Sequence, residues 1–151
     1  MRRLILTTGV SFLFTACATS PPTTEQLLLG AWKCEAPIGS GHLKGDETYE
    51  AGGKSTMKVA FTGNMAGAKV EAVGDGDATW AILEDNTKLE SKIGNLSITS
   101  VKMGEQVIEP AMAQAMIGPM LAGQSAVSTI KVDKTSLTLT ATDGTVTSCT
   151  R

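Results

Sequence analysis

Leu27-Leu28-Leu29-Gly30-Ala31-Trp32-Lys33-Cys34-Glu35, residues 27–35, is the stretch that decides the fold. A capping box stands before it, with Thr23 as the N-cap residue and Gln26 three positions later, which predicts a short helical turn through the leucines. Gly30 suits the end of that turn because it has no Cβ. Residues 30–35 follow as the first predicted strand, so a single helical turn leads directly into a sheet.

The middle of the chain has the pattern of an antiparallel meander. Between Lys54 and Thr62, apolar and polar side chains alternate with a period of two, as in a strand with one solvated face. Glycine-containing turn signals recur at short spacing and favour antiparallel neighbours. The predicted strands cover residues 46–51, 54–62, 67–73, 78–83, 87–93, 96–103, 126–132 and 136–141. Gly74-Asp75-Gly76 is expected to break or bulge the chain, and Gly94-Asn95 is expected to separate two strands.

One longer helix is expected near residues 109–121. Pro110 suits its first turn, where a missing N–H costs nothing, and Pro119 should weaken or end it.

The last hairpin has two possible registers. A two-residue turn at Asp143-Gly144 would place Cys149 on the threonine-rich, wet face. A three-residue loop, Thr142-Asp143-Gly144 with Gly144 in the left-handed conformation, pairs Leu137 with Cys149 instead. We predict the three-residue loop, because it places Cys149 on the apolar face.

Gly30-Ala31-Trp32, preceded by a helical turn, resembles the G-x-W start of the lipocalins and related barrels. The resemblance implies that Trp32 packs under the barrel floor with Arg151 against it. It implies an all-β fold, a lipocalin-like antiparallel meander barrel of about eight strands. It also implies a ligand cup in the barrel mouth, lined by Met57, Val59, Phe61, Trp80 and Ile82, with Met112 and Met116 as a lid.

Met112, Met116 and Met120 recur every four residues on one face of the predicted helix. We favour packing of this face against the barrel, because methionine fills irregular gaps. The alternatives are a lid that adapts to a ligand and a thioether row for Cu(I), which prefers soft sulfur.

Leu13-Phe14-Thr15-Ala16-Cys17 resembles the lipobox of bacterial lipoproteins. A positive n-region and an apolar run over residues 4–14 precede it, and that run is too short to span a membrane. The lipobox resemblance implies a signal peptide over residues 1–16. A tether over residues 17–26 then leads to the barrel domain over residues 27–151. The resemblance further implies lipid on Cys17 and, with Ala18 next, a location on the outer membrane facing the periplasm.

A second cleavage site remains open. Ala16-Cys17-Ala18 also fits the A-x-A pattern, and a cut after Ala18 would release a soluble periplasmic protein that starts at Thr19.

If Cys17 carries lipid, Cys34 and Cys149 remain as an even pair in an oxidising compartment. Such a pair is expected to form a disulfide, which would bring the first and last strands together and favour a closed barrel. The alternative is two free buried thiols.

Composition narrows the possible partners. The chain of 151 residues has a net charge of −2, and the loss of Arg2 and Arg3 on processing would make it more acidic. No basic patch stands out that would neutralise phosphates, so nucleic acid is not expected as a partner.

The motifs that suggest chemistry are incomplete. Gly52-Gly53-Lys54-Ser55-Thr56 lacks the first glycine of a P-loop and reads as a hairpin turn. Asp75-Gly76-Asp77 lacks the rest of a calcium loop. His42, the single histidine, lies in a glycine-rich stretch that is expected to be a surface loop. We therefore expect no enzyme activity, no cofactor and no metal site.

Two functions remain. The first is an envelope lipoprotein whose barrel binds a small apolar or amphipathic ligand or has a structural role. The second is a protein-binding module with an envelope protein partner, since Cys34 and Cys149 resemble the cysteine layout of small lipoproteins that inhibit lysozyme.

Processing can be tested directly. Mass spectrometry of the mature N-terminus is expected to show Cys17 with three acyl chains, which anchor more firmly than the single chain that gives only marginal binding. The Cys17→Ser variant should lose this mass and leave the membrane fraction. A mature chain that starts at Thr19 would exclude the anchor.

Overall fold

The computed structural model describes residues 20–65, 67–84, 86–121 and 123–151. The predicted signal peptide and Cys17 lie outside these residues. The elements are α1 (Thr24–Leu28), β1 (Gly30–Ile38), β2 (Gly41–Glu50), β3 (Lys54–Met65), β4 (Ala68–Leu83), β5 (Lys88–Met103), β6 (Gln106–Ile108), α2 (Pro110–Leu121), β7 (Ser125–Val132), β8 (Ser136–Ala141) and β9 (Val146–Thr150).

Eight of these strands form a closed antiparallel barrel. Neighbouring strands follow the order β4-β3-β2-β1-β9-β8-β7-β5, and a further β4–β5 pairing closes the ring. The short β6 adds to β5 as an extra strand. The predicted all-β fold with an antiparallel barrel of about eight strands, an N-terminal helical turn and one later helix is confirmed.

The entry into the barrel follows the capping box. The Thr23 hydroxyl accepts a hydrogen bond from the Gln26 backbone N–H at 3.2 Å, and the Gln26 side chain accepts one from the Thr23 N–H at 3.0 Å. The helix ends at Leu28, and Gly30 has a φ of 110° that favours glycine. The chain therefore turns sharply from α1 into β1.

The last hairpin has the predicted register. Leu137 pairs with Cys149, and Gly144 has a φ of 87° at the end of the three-residue loop. Cys34 pairs with Cys149 across the β1–β9 ladder, and the two form the expected disulfide.

At Gly74-Asp75-Gly76 the bulge, one of the two expected alternatives, is confirmed, whereas the break expected at Gly94-Asn95 is wrong. β4 and β5 each run through their glycines as one long strand, with register shifts near Gly74 and Gly76. A Cβ on Gly74 would lie 2.9 Å from the Ser97 carbonyl oxygen, so glycine allows the two backbones to approach closely. The bend is therefore made inside the ladder by β-bulges, and no loop is needed.

β2 also begins earlier than predicted. It starts at Gly41, so the expected surface loop is reduced to a tight turn at Gly39 and Ser40, and His42 lies in a strand. Gly39 has a φ of 54°, which lets the strands turn within two residues.

One end of the barrel, which we call the floor, is filled by a compact core. Its buried members come from α1 and from seven strands and are Leu28, Trp32, Tyr49, Trp80, Leu89, Ile130, Leu137 and Cys149. The rings of Tyr49 and Trp80 meet edge to face, with centroids 5.9 Å apart. Side chains of this size leave the floor closed.

Arg151 seals the floor from outside. Its guanidinium carbon lies 4.1 Å from the centroid of the Trp32 ring. Its three nitrogens donate to the carbonyl oxygens of Leu27, Leu29 and Lys134 at 2.7 to 2.9 Å. Arg151 thereby satisfies carbonyls at the end of α1 and ties them to the last strand.

No helix within the described ranges is long and apolar enough to cross a membrane.

Replacement of Arg151 is expected to destabilise the barrel. Arg151→Ala removes the cation–π contact and leaves three carbonyls without these donors, which should cost about 1 to 2 kcal/mol at this exposed position. Urea unfolding followed by tryptophan fluorescence measures the loss. Lys131→Ala, an exposed cation on β7, serves as the control and should change little. Equal urea midpoints of unfolding for Arg151→Ala and Lys131→Ala would contradict the stabilising role of Arg151.

Candidate ligand site

The end of the barrel opposite the floor, which we call the open end, is formed mainly by the longer strands. β9 pairs with β1 only over Lys33–Glu35, so the last residues of β1 pair only with β2. Pro37 lies in that stretch and has no N–H with which to continue a ladder. β7 in turn pairs with β5 only over Lys88–Lys92. The wall is therefore incomplete between β1 and the far half of β5.

α2 lies along that far half of β5. The Gln114 side chain accepts a hydrogen bond from the Ile98 backbone N–H and donates one to the Leu96 carbonyl, both at 2.8 Å. These are the bonds that a neighbouring strand would make, so one amide side chain satisfies a sheet edge. Ala113 is 2% exposed and packs against Ile98 and Val101. The sequence signal that could have shown this role is an isolated glutamine in an apolar helix.

α2 has close to the predicted extent of residues 109–121. It runs from Pro110 through Pro119 to Leu121, so Pro119 does not end it. Met112, the first residue of the methionine row, is 60% exposed, whereas Ala113 is the residue that packs on the barrel. The side chains of Met116 and Met120 lie outside the described residues.

The five predicted lining residues of the strands all face the interior, but at different heights. Trp80 is 6% exposed in the floor core and donates its indole N–H to the Lys54 carbonyl at 2.8 Å, and Ile82 packs beside that core. Met57, Val59 and Phe61 lie further along β3 toward the open end and are half-buried.

Phe61 covers two glycines near the open end. A Cβ added at Gly41 or at Gly63 would collide with the Phe61 ring, so the ring lies over both backbones. An aromatic side chain over glycines restores packing that the glycines lack.

The rim of the open end is apolar. Ile38 ends β1 and is 47% exposed, and Met103 ends β5 opposite the buried Val70 and is 37% exposed. Leu43 on β2 is half-buried. Ile38, Leu43 and Met103 are thus accessible at the rim, whereas Ala36, Val70 and Val101, which also face inward in this half, are buried.

Glu47 was missed by the sequence reasoning. Its position on β2 lies opposite Trp32 on one side and Met57 on the other, so the side chain faces the interior. The Ser55 hydroxyl donates to its carboxylate at 3.2 Å. Burial raises the pKa of Glu47, and hydrogen bonds from Tyr49 and Ser55 oppose that rise. The period-two pattern could have revealed it, because Glu47 and Tyr49 share one face of β2.

Tyr49 completes a polar cluster at the upper surface of the floor core. It is 3% exposed. Burial is the larger cause that raises the pKa of Tyr49 above its usual value, and the negative charge of the neighbouring Glu47 carboxylate is the second. Tyr49 and Ser55 are opposite each other in the β2–β3 ladder. The phenol therefore stays protonated and available as a hydrogen-bond donor to the carboxylate.

The outer surface of β1–β3 carries ion pairs. The Lys33 and Asp46 side chains meet at 3.0 Å, as do those of Lys44 and Glu35, while His42 Nε2 lies 3.3 Å from Glu35. The hydrogen bond from Lys44, then that from His42, lowers the pKa of Glu35. His42 is thus an exposed partner of a carboxylate.

A depression of about 340 Å³ lies over the middle of β1–β4. Its lining includes both inward-facing residues and charged side chains of the outer surface. The lining residues are Lys33, Cys34, Glu35, Lys44, Gly45, Asp46, Lys58, Val59, Ala60 and Val73. Exposed, mutually paired charges of this kind contribute little to stability or affinity.

The incomplete motifs form ordinary structure. Gly52 and Gly53 have φ values of 88° and 75° in the hairpin turn between β2 and β3, and Asp75-Gly76-Asp77 lies within β4. In the part of the chain that the structure describes, no three histidine, cysteine or acidic side chains could share a metal ion.

No protein-family model matches the chain, and no curated protein does. Among solved structures, the chain is similar to a redesigned β-barrel, mFAP1, bound to DFHBI. The sequences are 18% identical, the match covers 86% of this chain and 100% of that one, and the TM-score is 0.37.

Glu47→Gln is expected to stabilise the protein at neutral pH. A carboxyl whose pKa is raised by folding makes its full contribution to stability below its usual value of 4.5 and loses it as the pH rises. The glutamine side chain can still accept the hydrogen bond from the Ser55 hydroxyl, and it places no charge in the buried site. The melting temperature at pH 7 should rise by about 2–4 °C per kcal/mol gained, and the difference from wild type should vanish as the pH falls below 4.5.

Glu35→Gln is the matched control. The lowered pKa of Glu35 stabilises the fold above its usual value of 4.5, so this variant should be equal to or slightly less stable than wild type at pH 7. If Glu47→Gln lowers the melting temperature at pH 7, the burial cost assigned to Glu47 is wrong.

Proposed function

We propose that this protein is an envelope lipoprotein, anchored by lipid on Cys17, whose barrel binds one small apolar or amphipathic molecule at its open end. The observation that carries this proposal is the uneven coverage of inward-facing apolar residues. Trp32 and Leu28 in the floor are 1% and 0% exposed, whereas Ile38 and Met103 at the rim are 47% and 37% exposed.

Covering the rim would be favourable. Burial of apolar surface contributes about 25 cal/mol per Å², so a molecule that covers Ile38, Phe61 and Met103 gains free energy on binding. The floor is already packed, and a ligand therefore enters from the rim alone. Apolar barrel mouths are common places for small ligands.

α2 fits the role of an adaptable flank. It lies beside the incomplete part of the wall and carries Met112, which is 60% exposed. Methionine is unbranched and polarisable, so it adjusts to ligands of different shape.

The envelope location draws support from two features. The Cys34–Cys149 disulfide suits an oxidising compartment. Leu28 of α1 belongs to the floor core, so a tether from Cys17 would reach the barrel at its closed end. The open end would then point away from the anchor and stay accessible.

A protein-binding role is the second candidate. It is favoured by the bridge between an early and a late cysteine, which resembles the layout of lysozyme-inhibiting lipoproteins. Stoichiometric inhibition of lysozyme by the purified protein would support this candidate.

Filling the open half should weaken ligand binding. Val59 lies between Gly45 and Gly74 in the ladders, so a phenylalanine there has room to extend into the interior. In the full chain with Cys17→Ser, Val59→Phe should weaken binding of the uncharged apolar dye Nile red by at least about tenfold, or 1.4 kcal/mol. Fluorescence titration measures the affinity.

Ala60→Phe is the matched control, because residue 60 is the next one on β3 and faces outward. It adds the same ring outside the barrel and should leave the affinity unchanged. Thermal melting without dye verifies that both variants fold. Equal affinities for wild type and a folded Val59→Phe, or no dye binding to wild type, would reject the open end as the site.

A further inference from the structure

Glu47 marks the border between the packed floor and the open half of the barrel. On β2, Tyr49 lies on its floor side and Gly45 on the other side, with the same inward orientation. Glu47 itself is half-buried, while Tyr49 and Ser55 are 3% and 2% exposed. The carboxylate is therefore the polar group at the inner end of the apolar lining formed by Val59 and Phe61.

Among the described residues, the groups that contact Glu47 carry no positive charge. Across the ladders it meets Trp32 on β1 and Met57 on β3, and its hydrogen-bond partners are the neutral hydroxyls of Ser55 and Tyr49. Among the ion pairs of the described residues, none includes Glu47.

Arg151, the cation that lies against the Trp32 ring, is already engaged. All three of its guanidinium nitrogens donate to backbone carbonyls, and it lies against the Trp32 ring on the floor side. It is therefore no counter-ion for Glu47.

An inward-facing carboxylate without a counter-ion favours a positively charged ligand. Removing a carboxylate from water is costly unless a cation or hydrogen-bond donors compensate it, and two neutral hydroxyls compensate it only in part. A protonated amine placed there would form a charge-assisted hydrogen bond in a region of low dielectric. An anionic head group would meet the like charge and lose affinity.

We infer that the molecule bound at the open end is an amphipathic amine, with its ammonium group at Glu47 and its apolar tail directed toward the rim. This inference rests on the function proposed above and adds the charge and orientation of the ligand. Ser55 and Tyr49 act as positioning residues, because they hold the carboxylate by hydrogen bonds.

The length of the open half suits a medium alkyl chain. β1 runs from Trp32, opposite Glu47, to Ile38 at the rim, which is about 20 Å of extended strand. With strands tilted by about 35–45°, the depth along the barrel axis is roughly 15 Å. Met57, Val59 and Phe61 line this depth on β3.

The test compares two amphiphiles that differ in head-group charge. Dodecylammonium and dodecanoate compete with Nile red for the full chain with Cys17→Ser, at concentrations below micelle formation and at pH 7. For wild type, dodecylammonium should displace the dye at a concentration at least about tenfold lower than dodecanoate does. Glu47→Gln should bring this ratio close to one.

Glu35→Gln is the control for overall charge, since it removes the same charge from the outer surface. It should keep the wild-type ratio. Because Glu47→Gln is expected to be at least as stable as wild type at pH 7, loss of the preference would not come from unfolding, and a melting curve verifies this.

The outcomes separate the two proposals. If both amphiphiles displace the dye but wild type shows no preference for the amine, or if Glu47→Gln keeps the preference, the amine inference is wrong and the open-end site stands. If neither amphiphile nor the dye binds to wild type, the proposed function fails and the inference fails with it.

Discussion

The closure between the first and last strands is the constraint on which the rest of the structure depends. The β1–β9 ladder is only three residue pairs long, from Lys33–Thr150 to Glu35–Ser148, and the Cys34–Cys149 disulfide lies at its centre. The bridged residues are 115 positions apart, so the crosslink removes much of the freedom of the unfolded chain, about 4 to 5 kcal/mol in the chain-entropy model. Arg151 adds a second connection between the end of the chain and α1. Closure removes the exposed edges that an open sheet would present.

The short closing ladder also makes the two ends of the barrel different. Where all eight strands are present, the interior is filled by large side chains such as Trp32 and Trp80. Further along, β7, β8 and β9 have ended, and the Gln114 amide of α2 takes the place of a strand beside β5. The same difference in strand length leaves apolar side chains accessible at the rim and places the Glu47 carboxylate where the packed region ends.

Local patterns predicted a large share of this fold. The capping box at Thr23, the alternation along β3 and the three-residue loop before β9 depend on neighbours close in sequence, and all three were predicted. The break expected at Gly94 was wrong, and the choice between a break and a bulge at Gly74 stayed open, because each glycine was judged by its local preference for turns. In the barrel, Gly74 is required where two backbones approach each other, which keeps β4 continuous. For the site, the sequence predicted inward-facing Met57, Val59 and Phe61 but not their distance from the floor.

The sequence by itself determined the class of structure: an all-β chain with one short helical turn, one longer helix and a cysteine pair able to join the first strand to the last. The reason is that side-chain alternation, capping and turn chemistry act over a few residues and are visible in the order of amino acids. Only the tertiary structure decided which inward-facing side chains are covered. Burial of Trp80, exposure of Met103 and the neutral hydrogen-bond partners of Glu47 depend on where opposing strands end and on what packs between them. Those are relations between residues far apart in sequence, and no local pattern encodes them.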